Sequence, residues 1–346
     1  MPDRRIEDHH AGTGLQPQDR GTGGGGSGAG ACRGARGKGQ GARILNLASH
    51  PFRTGVIAVI GRPNVGKSTL VNALVGAKVS IVSSKPQTTR HRILGVRTEA
   101  DAQFIFADTP GFQTQYKSAL NTAMNRSVTQ ALAEVDVVVW LVEARKFMPA
   151  DQRILPLLPK GKNNGKPVIL VVNKIDTVAD KATLFPYLAM LSQQYKFAEI
   201  VPLSAEKPKD AERLPAILKP YLPEGEPWFA EDDITDRSSR FLAAEIVREK
   251  VFRLTGDEIP YAVAVTIEEF SEEPKLFRIG AVIWVDRDAH KPILLGRGGE
   301  HIKRIATESR QDMEKLFDRK IFLTLWVKVK GGWADDARLI KQFGYE

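Results

Sequence analysis

The chain has 346 residues, with 50 Lys and Arg against 41 Asp and Glu for a net charge of +9 and a pI near 9.5. That length exceeds one average domain and can bury two ordinary cores, while the basic balance favours a polyanionic partner over a neutral metabolite. The single cysteine, Cys32, excludes an internal disulfide and favours a reducing cytosolic setting, and no uncharged apolar run reaches bilayer-spanning length, so a soluble protein is expected.

Residues 1–53 are rich in glycine and small polar residues with scattered arginines, and 21–30 is nearly all Gly, Ala and Ser, which predicts a flexible extension. Arg33, Arg36, Lys38 and Arg43 can add weak, salt-sensitive affinity for RNA. A solubilising tail or a mis-assigned start explains the stretch equally well. An organelle transit peptide fits it poorly, given the glycine run and the acidic Glu7, Asp8 and Asp19.

From residue 54 the pattern is that of a folded domain. The β-branched run 56–60 reads as a buried strand, and 68–74 carries the apolar spacing of a helix. Between them stands Gly61-Arg62-Pro63-Asn64-Val65-Gly66-Lys67-Ser68, followed by Thr69: a full G-x-x-x-x-G-K-S at a strand-to-helix junction. Gly61 and Gly66 let backbone N–H groups approach an anion at the positive end of the helix. Lys67 is placed to reach β- and γ-phosphates, and the Ser68 hydroxyl to ligate Mg2+.

Next come a strand-like 79–82 and the polar, turn-prone Lys85-Pro86-Gln87-Thr88-Thr89-Arg90. One of its threonines is expected to complete the magnesium shell; the alternative is a loop threonine that caps the next strand. Apolar 104–107 leads into Asp108-Thr109-Pro110-Gly111, so Asp108 is expected at a strand end, suited to a water-mediated magnesium contact. Gly111 leaves room for a γ-phosphate and offers it a backbone N–H. Asp-Thr-Pro-Gly is also good turn chemistry, and both readings can hold together.

The base is specified further on. Buried-looking 168–172 precedes Asn173-Lys174-Ile175-Asp176, at the ligand edge expected of a parallel α/β sheet. The Asp176 carboxylate can accept hydrogen bonds from N1–H and the exocyclic amine of guanine, a pair adenine does not offer, and a site built to fill both bonds rejects the wrong base strongly. Phosphate, magnesium and guanine chemistry thus follow in order, and the expectation is a GTP-binding switch.

Pro86-Gln87-Thr88-Thr89-Arg90-His91-Arg92, the Asn64 inside the phosphate loop and Asp108 to Gly111 resemble the translation-factor-related bacterial GTPases, and within them the Era family. The resemblance implies that Thr89 is the magnesium ligand. It also implies a potassium ion, held in part by Asn64 and the switch backbone, that supplies transition-state charge, because Phe112 stands where Ras-like proteins place a water-orienting glutamine. Asn64 can instead simply stabilise its loop. Ser204-Ala205, after 200–203, resembles the family's last guanine-contacting turn, in which backbone N–H groups meet the base carbonyl.

Past Ser204, Pro208, Pro215, Pro220, Pro223 and Pro227 imply a linker with one short helix. A second domain then begins. Ala244, Val247, Val251 and Leu254 recur at helical spacing, with Gly256 as a candidate cap, and two alternating runs follow: Tyr261 to Ile267, and Phe277 to Val285. Ile293-Leu294-Leu295 leads into Gly296-Arg297-Gly298-Gly299, Ile302 and Ile305 begin a helix out of it, and Arg297, His301, Lys303 and Arg304 cluster beside it. Ile293, Leu294, Ile302 and Ile305 are expected in the core, with contact to bases as a second role open to some of them; Ile302 is read as core. With a last strand over Ile321, Leu323, Leu325, Val327 and Val329, the order is α-β-β-α-α-β, which resembles the bacterial type II KH fold, whose glycine turn clamps single-stranded nucleotide backbone. Trp326 and Trp333 are read as packing aromatics, with stacking on bases as the alternative.

The fold expectation is therefore α/β, a P-loop NTPase with a doubly wound, mostly parallel sheet, followed by an α+β type II KH domain. The boundaries expected are 1–53 extension, 54–222 G domain, 223–237 linker, 238–331 KH domain and 332–346 tail. The Era-family resemblance covers about 55–345, including Ile234-Thr235-Asp236-Arg237 and the run 325–330. It implies slow GTP hydrolysis, a monomer binding the 3′ end of small-subunit ribosomal RNA during small-subunit assembly and maturation, and a cytoplasmic location with peripheral contact to the inner membrane. A nucleotide-regulated RNA-binding module with negligible hydrolysis is the alternative. A metabolic or tRNA-modifying GTPase would need a further reactive centre, against which the lone Cys32 argues.

Overall fold

A continuous run of buried residues makes β1 (Arg53–Gly61) the centre of a sheet covered on both faces, the setting in which strands read as unbroken apolar runs. The sheet has the order β2-β3-β1-β4-β5-β6, with β2 (Ile93–Glu99), β3 (Ala102–Asp108), β4 (Val137–Glu143), β5 (Val168–Asn173) and β6 (Glu199–Pro202). Only β2 runs antiparallel to its neighbour. Alternation along β1 divides two cores: Ile57 and Val59 pack with Leu70, Leu74, Leu214 and Leu218, whereas Val56, Ala58 and Ile60 pack with Val128, Trp140, Leu184 and Leu191. The helices concerned are α1 (Lys67–Val75), α2 (Ala119–Glu134), α3 (Pro149–Gln152), α4 (Leu184–Ser192), α5 (Pro208–Ala211) and α6 (Leu214–Leu218).

The computed structural model describes residues 51–83, 85, 87–112, 119–159, 165–256, 259, 263–333 and 336–343. The expected extension, apart from 51–53, lies outside the described residues, as do Pro86, Tyr261 and Tyr345.

Two expectations for the first domain need correction. Residues 79–82 form a loop, not a strand. Their backbone is satisfied by one side chain: Asn72 Oδ1 accepts from Val79 N at 3.0 Å and Ser80 N at 2.9 Å, and Asn72 Nδ2 donates to Ser80 O at 2.7 Å. Val79, Ser80 and Ile81 are all buried, so the apolar alternation here marks neither a ladder nor a two-faced strand. The proline-spaced stretch after Ser204 holds two short helices, α5 and α6, whose Ala211, Leu214 and Leu218 belong to the first core. Prolines in the first turn start these helices instead of breaking them. The chain then straps the open edge of the sheet, where Thr235 Oγ1 donates to Leu94 O at 2.7 Å and Val96 N to Ile234 O at 2.9 Å. Such cover blunts an exposed strand edge.

The second domain begins at α7 (Ser239–Leu254), where Ser238 Oγ caps Phe241 N at 3.3 Å. It continues through β7 (Val263–Glu272), β8 (Leu276–Val285), α8 (His290–Leu295), α9 (Glu300–Phe317) and β9 (Lys320–Val329), with sheet order β7-β8-β9. β7 and β8 are antiparallel, β8 and β9 parallel. Val247, Val251, Ile279, Ile283, Leu294 and Ile305 join in one core. Ile293, expected there, is 46 % exposed, because a short α8 can turn only one side inward. α7 stops at an extended Thr255, and Gly256 is not left-handed. Beyond β9, Trp333 is fully buried and packs with α10 (Ala337–Gln342) against Ala264 and against Leu120 and Met124 of the first domain.

Candidate nucleotide site and nucleic-acid turn

Strands β1, β3 and β5 end at Gly61, Asp108 and Asn173 on one edge of the sheet, so the three motifs converge where α/β sheets hold ligands. Gly66, at φ 103°, precedes α1. A Cβ there would fall 2.3 Å from the Asn173 amide nitrogen, so glycine is required both by handedness and by close approach. Asn173 Nδ2 donates to Val65 O at 2.8 Å and Oδ1 accepts from Ala205 N at 2.9 Å. One buried side chain therefore ties the phosphate loop to the 204–205 turn. Lys174 Nζ adds a bond to Asn64 O at 2.9 Å.

Lys67 is buried, and Nζ donates to Gly61 O at 3.2 Å and Arg62 O at 3.0 Å. Burial pulls its pKa down to about 8, with Asp108 opposing. An arriving polyanion would stabilise that cation further. Ser68 Oγ donates to Asp108 Oδ2 at 2.7 Å and stands 2.8 Å from Thr89 Oγ1, which lies 3.4 Å from the same carboxylate oxygen. Asp108 is fully buried; burial pushes its pKa up, against the Ser68 hydrogen bond and the Lys67 charge. Two hydroxyls and a carboxylate form a hard-oxygen donor set that fits Mg2+, an ion held by few protein ligands plus phosphate and water. Among the described residues no group of His, Cys, Asp and Glu could hold a metal unaided.

Gly111 presses on the phosphate loop: a Cβ would lie 2.9 Å from the Pro63 backbone. Thr109 Oγ1 donates to Val59 O at 2.8 Å, and Phe112 packs into the second core of the sheet. Arg62 is engaged elsewhere, with Glu143 at 2.5 Å and Asp151 at 3.2 Å, so it offers the trough only its backbone. Although burial works against it, hydrogen bonds from Lys146 and Arg62 and the Lys174 charge hold Glu143 down to about 2.

The cavity beside Lys67, Ser68 and Gly111 and a second of about 420 Å3 beside Asn173, Asp176, Ser204 and Ala205 share Asn64, Gly66, Thr69, Val82 and Ser83 as walls. Phosphate-sized and base-sized spaces form one trough, with Asp176 exposed at its far end and Ile175 packed on the core behind. Sequence reasoning missed Val82 and Ser83. No spacing marks them, since the Asn72 side chain sets that loop's path.

In the second domain, Gly296, Gly298 and Gly299 have φ of 71°, 61° and 79°. A Cβ on Gly296 would meet His301 at 2.9 Å, while the space over Gly298 is open. His301 Nδ1 lies 3.0 Å from Ile293 O, which pins the turn to α8. Arg297, Lys303 and Arg304 are exposed beside it, Arg304 bridging to Glu308 at 2.9 Å.

Comparison with known proteins places both halves. Residues 56–174 match the model of the 50S ribosome-binding GTPase family, and 258–334 match the KH domain model. GTPase Era of Bordetella avium is 53% identical over 300 residues, 87% of this chain and 100% of that protein. The chain belongs to the Era family of GTPases. GTPase Era of Chromobacterium violaceum is 52% identical over 303 residues, again covering 87% of this chain and 100% of the relative. A crystal structure of a variant Aquifex aeolicus Era bound to GDP and aluminium fluoride superposes with a TM-score of 0.81 at 41% identity, over 85% of this chain and 99% of that one. An Era structure with MgGDPNP and nucleotides 1506–1542 of 16S ribosomal RNA gives the same TM-score at 42% identity and the same coverage. This Era-family chain therefore combines a P-loop GTPase domain with a KH domain, as its motifs predict.

Proposed function

We propose that this GTPase couples GTP binding and hydrolysis in the trough to capture of the single-stranded 3′ end of small-subunit ribosomal RNA at the glycine turn, during assembly of that subunit. The observation that carries the reading is the pair of adjoining cavities, with Asn64, Gly66, Thr69, Val82 and Ser83 as shared walls, that sets Lys67, Ser68 and Thr89 beside Asp176 in a chain that also exposes a cationic Gly296–Gly299 turn. The relative solved with MgGDPNP and a 16S segment supports the choice of RNA.

Lys67 and the backbone N–H groups of 61–69 offset phosphate charge, except at Pro63, which has none. Ser68 and Thr89, with Asp108 behind them, would hold Mg2+, which would supply charge neutralisation for the phosphate oxygens. Gly111 N–H and Thr109-Pro110 register the γ-phosphate, Asp176 selects guanine, and the Ser204-Ala205 backbone faces the base carbonyl. Phe112 cannot orient water, and the family resemblance implies that Asn64 and the switch backbone would hold a potassium ion, which would supply charge stabilisation. At the turn, Gly298 and Gly299 admit the RNA backbone, and Arg297, His301, Lys303 and Arg304 supply donors and charge.

The test is RNA affinity of the full chain for a 16S 3′-end oligonucleotide in GDP and in GDPNP, alongside phosphate release in potassium and sodium buffers. Affinities are expected to differ by a coupling of roughly 1–3 kcal/mol, with faster hydrolysis in potassium. Identical affinities would remove the coupling, and identical rates would remove the potassium role.

A further inference from the structure

Thr89 reaches Ser68 and Asp108 from a segment that the second domain grips on both sides. The preceding residue, Thr88, gives its carbonyl oxygen to Arg248 Nη2 of α7 at 2.5 Å. The following residue, Arg90, donates from Nη1 to Val263 O at 2.7 Å, and its guanidinium lies 5.5 Å from the Phe252 ring and 5.6 Å from the Trp333 ring. Upstream, Lys85 Nζ binds the carbonyls of Thr255 and Gly256 just past the end of α7, where a helix C-terminus favours a cation. Downstream, His91 meets Phe241 edge-on at 5.1 Å.

These anchors are stiff. Arg248 is 1% exposed and is held by both Glu245 oxygens at 2.7 and 2.6 Å, a forked pairing that fixes the guanidinium plane. Arg90 is likewise buried, with its charge enclosed by aromatic faces. Consecutive Cα atoms are a fixed distance apart, so with the Thr88 carbonyl and the Arg90 guanidinium both held, the backbone that presents the Thr89 hydroxyl is restrained from both sides.

We infer that Arg90 and Arg248 are positioning residues for Thr89, so that the second domain, through them, completes the hydrolysis site of the first. The inference rests on the assignment of Thr89 under the proposed function and adds the opposite direction of control: the KH domain's docking sets where a magnesium-binding hydroxyl stands. By linkage, a ligand that shifts that docking must change nucleotide affinity by the same factor.

The test uses the full chain with three variants. Arg90→Met keeps an apolar stem between the rings and removes the donor and charge; Arg248→Lys keeps a charge facing Glu245 and loses both the fork to Glu245 and the bond to Thr88 O; Thr89→Ala is the reference. Single-turnover GTP hydrolysis is measured across a Mg2+ titration, with GDP affinity and thermal midpoint beside it. We expect Arg90→Met and Arg248→Lys to lower the rate roughly ten- to a hundredfold, the scale of a small displacement at a reacting group. The Mg2+ midpoint with GTP should rise, GDP affinity should stay within about twofold, and Arg90→Lys should recover part of the rate. If Thr89→Ala abolishes hydrolysis while both arginine variants keep the parent rate and Mg2+ midpoint, the positioning inference fails and the Thr89 assignment stands. If Thr89→Ala itself keeps the rate, the site reading fails first. An equal loss of GDP affinity and thermal midpoint in both arginine variants would mark a merely structural role and overturn the inference.

Discussion

The two candidate sites are built on opposite principles. The phosphate end of the trough is buried and internally bonded: Lys67, Asp108, Thr89 and Asn173 are all nearly closed to solvent, and each is hydrogen-bonded within the protein. The KH turn is open, with left-handed glycines and exposed cations beside them. Charge placed in a low-dielectric, preorganised site acts strongly and specifically, whereas exposed charge on a polyanion acts through counterion release and is screened by salt. Single substitutions should therefore be severe in the trough and graded at the turn.

Asp176→Asn offers the sharpest break. Losing two charge-assisted bonds of about 1.5–3 kcal/mol each should weaken GTP binding by roughly a thousandfold while leaving the phosphate machinery intact, as competition binding with GTP, ATP and xanthosine triphosphate can check. Xanthine carries a carbonyl where guanine carries the amine, so the variant should regain affinity for it. Lys67→Ala should follow, cutting hydrolysis by about 10²–10³ in single-turnover assays with folding unchanged. At the turn, Arg297→Glu with Lys303→Glu should cost RNA affinity more evenly across sequences and lower the salt slope by about one for each phosphate-binding cation removed; hydrolysis without RNA should stay at the parent rate. A slope unchanged by both substitutions would remove these residues from the RNA interface.

The smallest effect concerns stability. Glu143 titrates at about 2 in the folded chain against an ordinary 4.5, so as pH falls the unfolded chain takes up its proton first. Its contribution is full above about 4.5 and fades as pH falls towards about 2. In urea melts, Glu143→Gln should lower the midpoint at neutral pH, and the gap to the parent should close across that acid window. A constant gap would assign the Arg62–Glu143 contact no titrating role.

Legibility in the sequence followed locality. The phosphate loop, Asp108 and Asn173 to Asp176 could be read because each sits in a short motif at the end of an apolar strand, and strand order then carries them to one edge. The glycine turn could be read for the same reason, its φ angles needing glycine within four residues. Residues 79–82 misled because the backbone that a strand would pair in a ladder is paired instead by the Asn72 side chain, which lets a loop with Val79, Ser80 and Ile81 all buried replace a strand. Val82 and Ser83 went unseen as trough walls on the same account.

What the amino-acid order determined by itself was the chemistry: which hydroxyl, lysine and carboxylates are available, and on which local turn each is displayed. Only tertiary packing decided who holds the switch segment. Arg90 stands in the motif that carries the family resemblance and Arg248 in a helical run, yet nothing in the linear order ties them to their partners Val263 and Thr88, 173 and 160 residues away. A hydrogen bond to a distant carbonyl carries no periodicity and no motif, because any residue's backbone can accept it. That bond exists only once both cores have formed and α7 has been laid against the loop that carries Thr89.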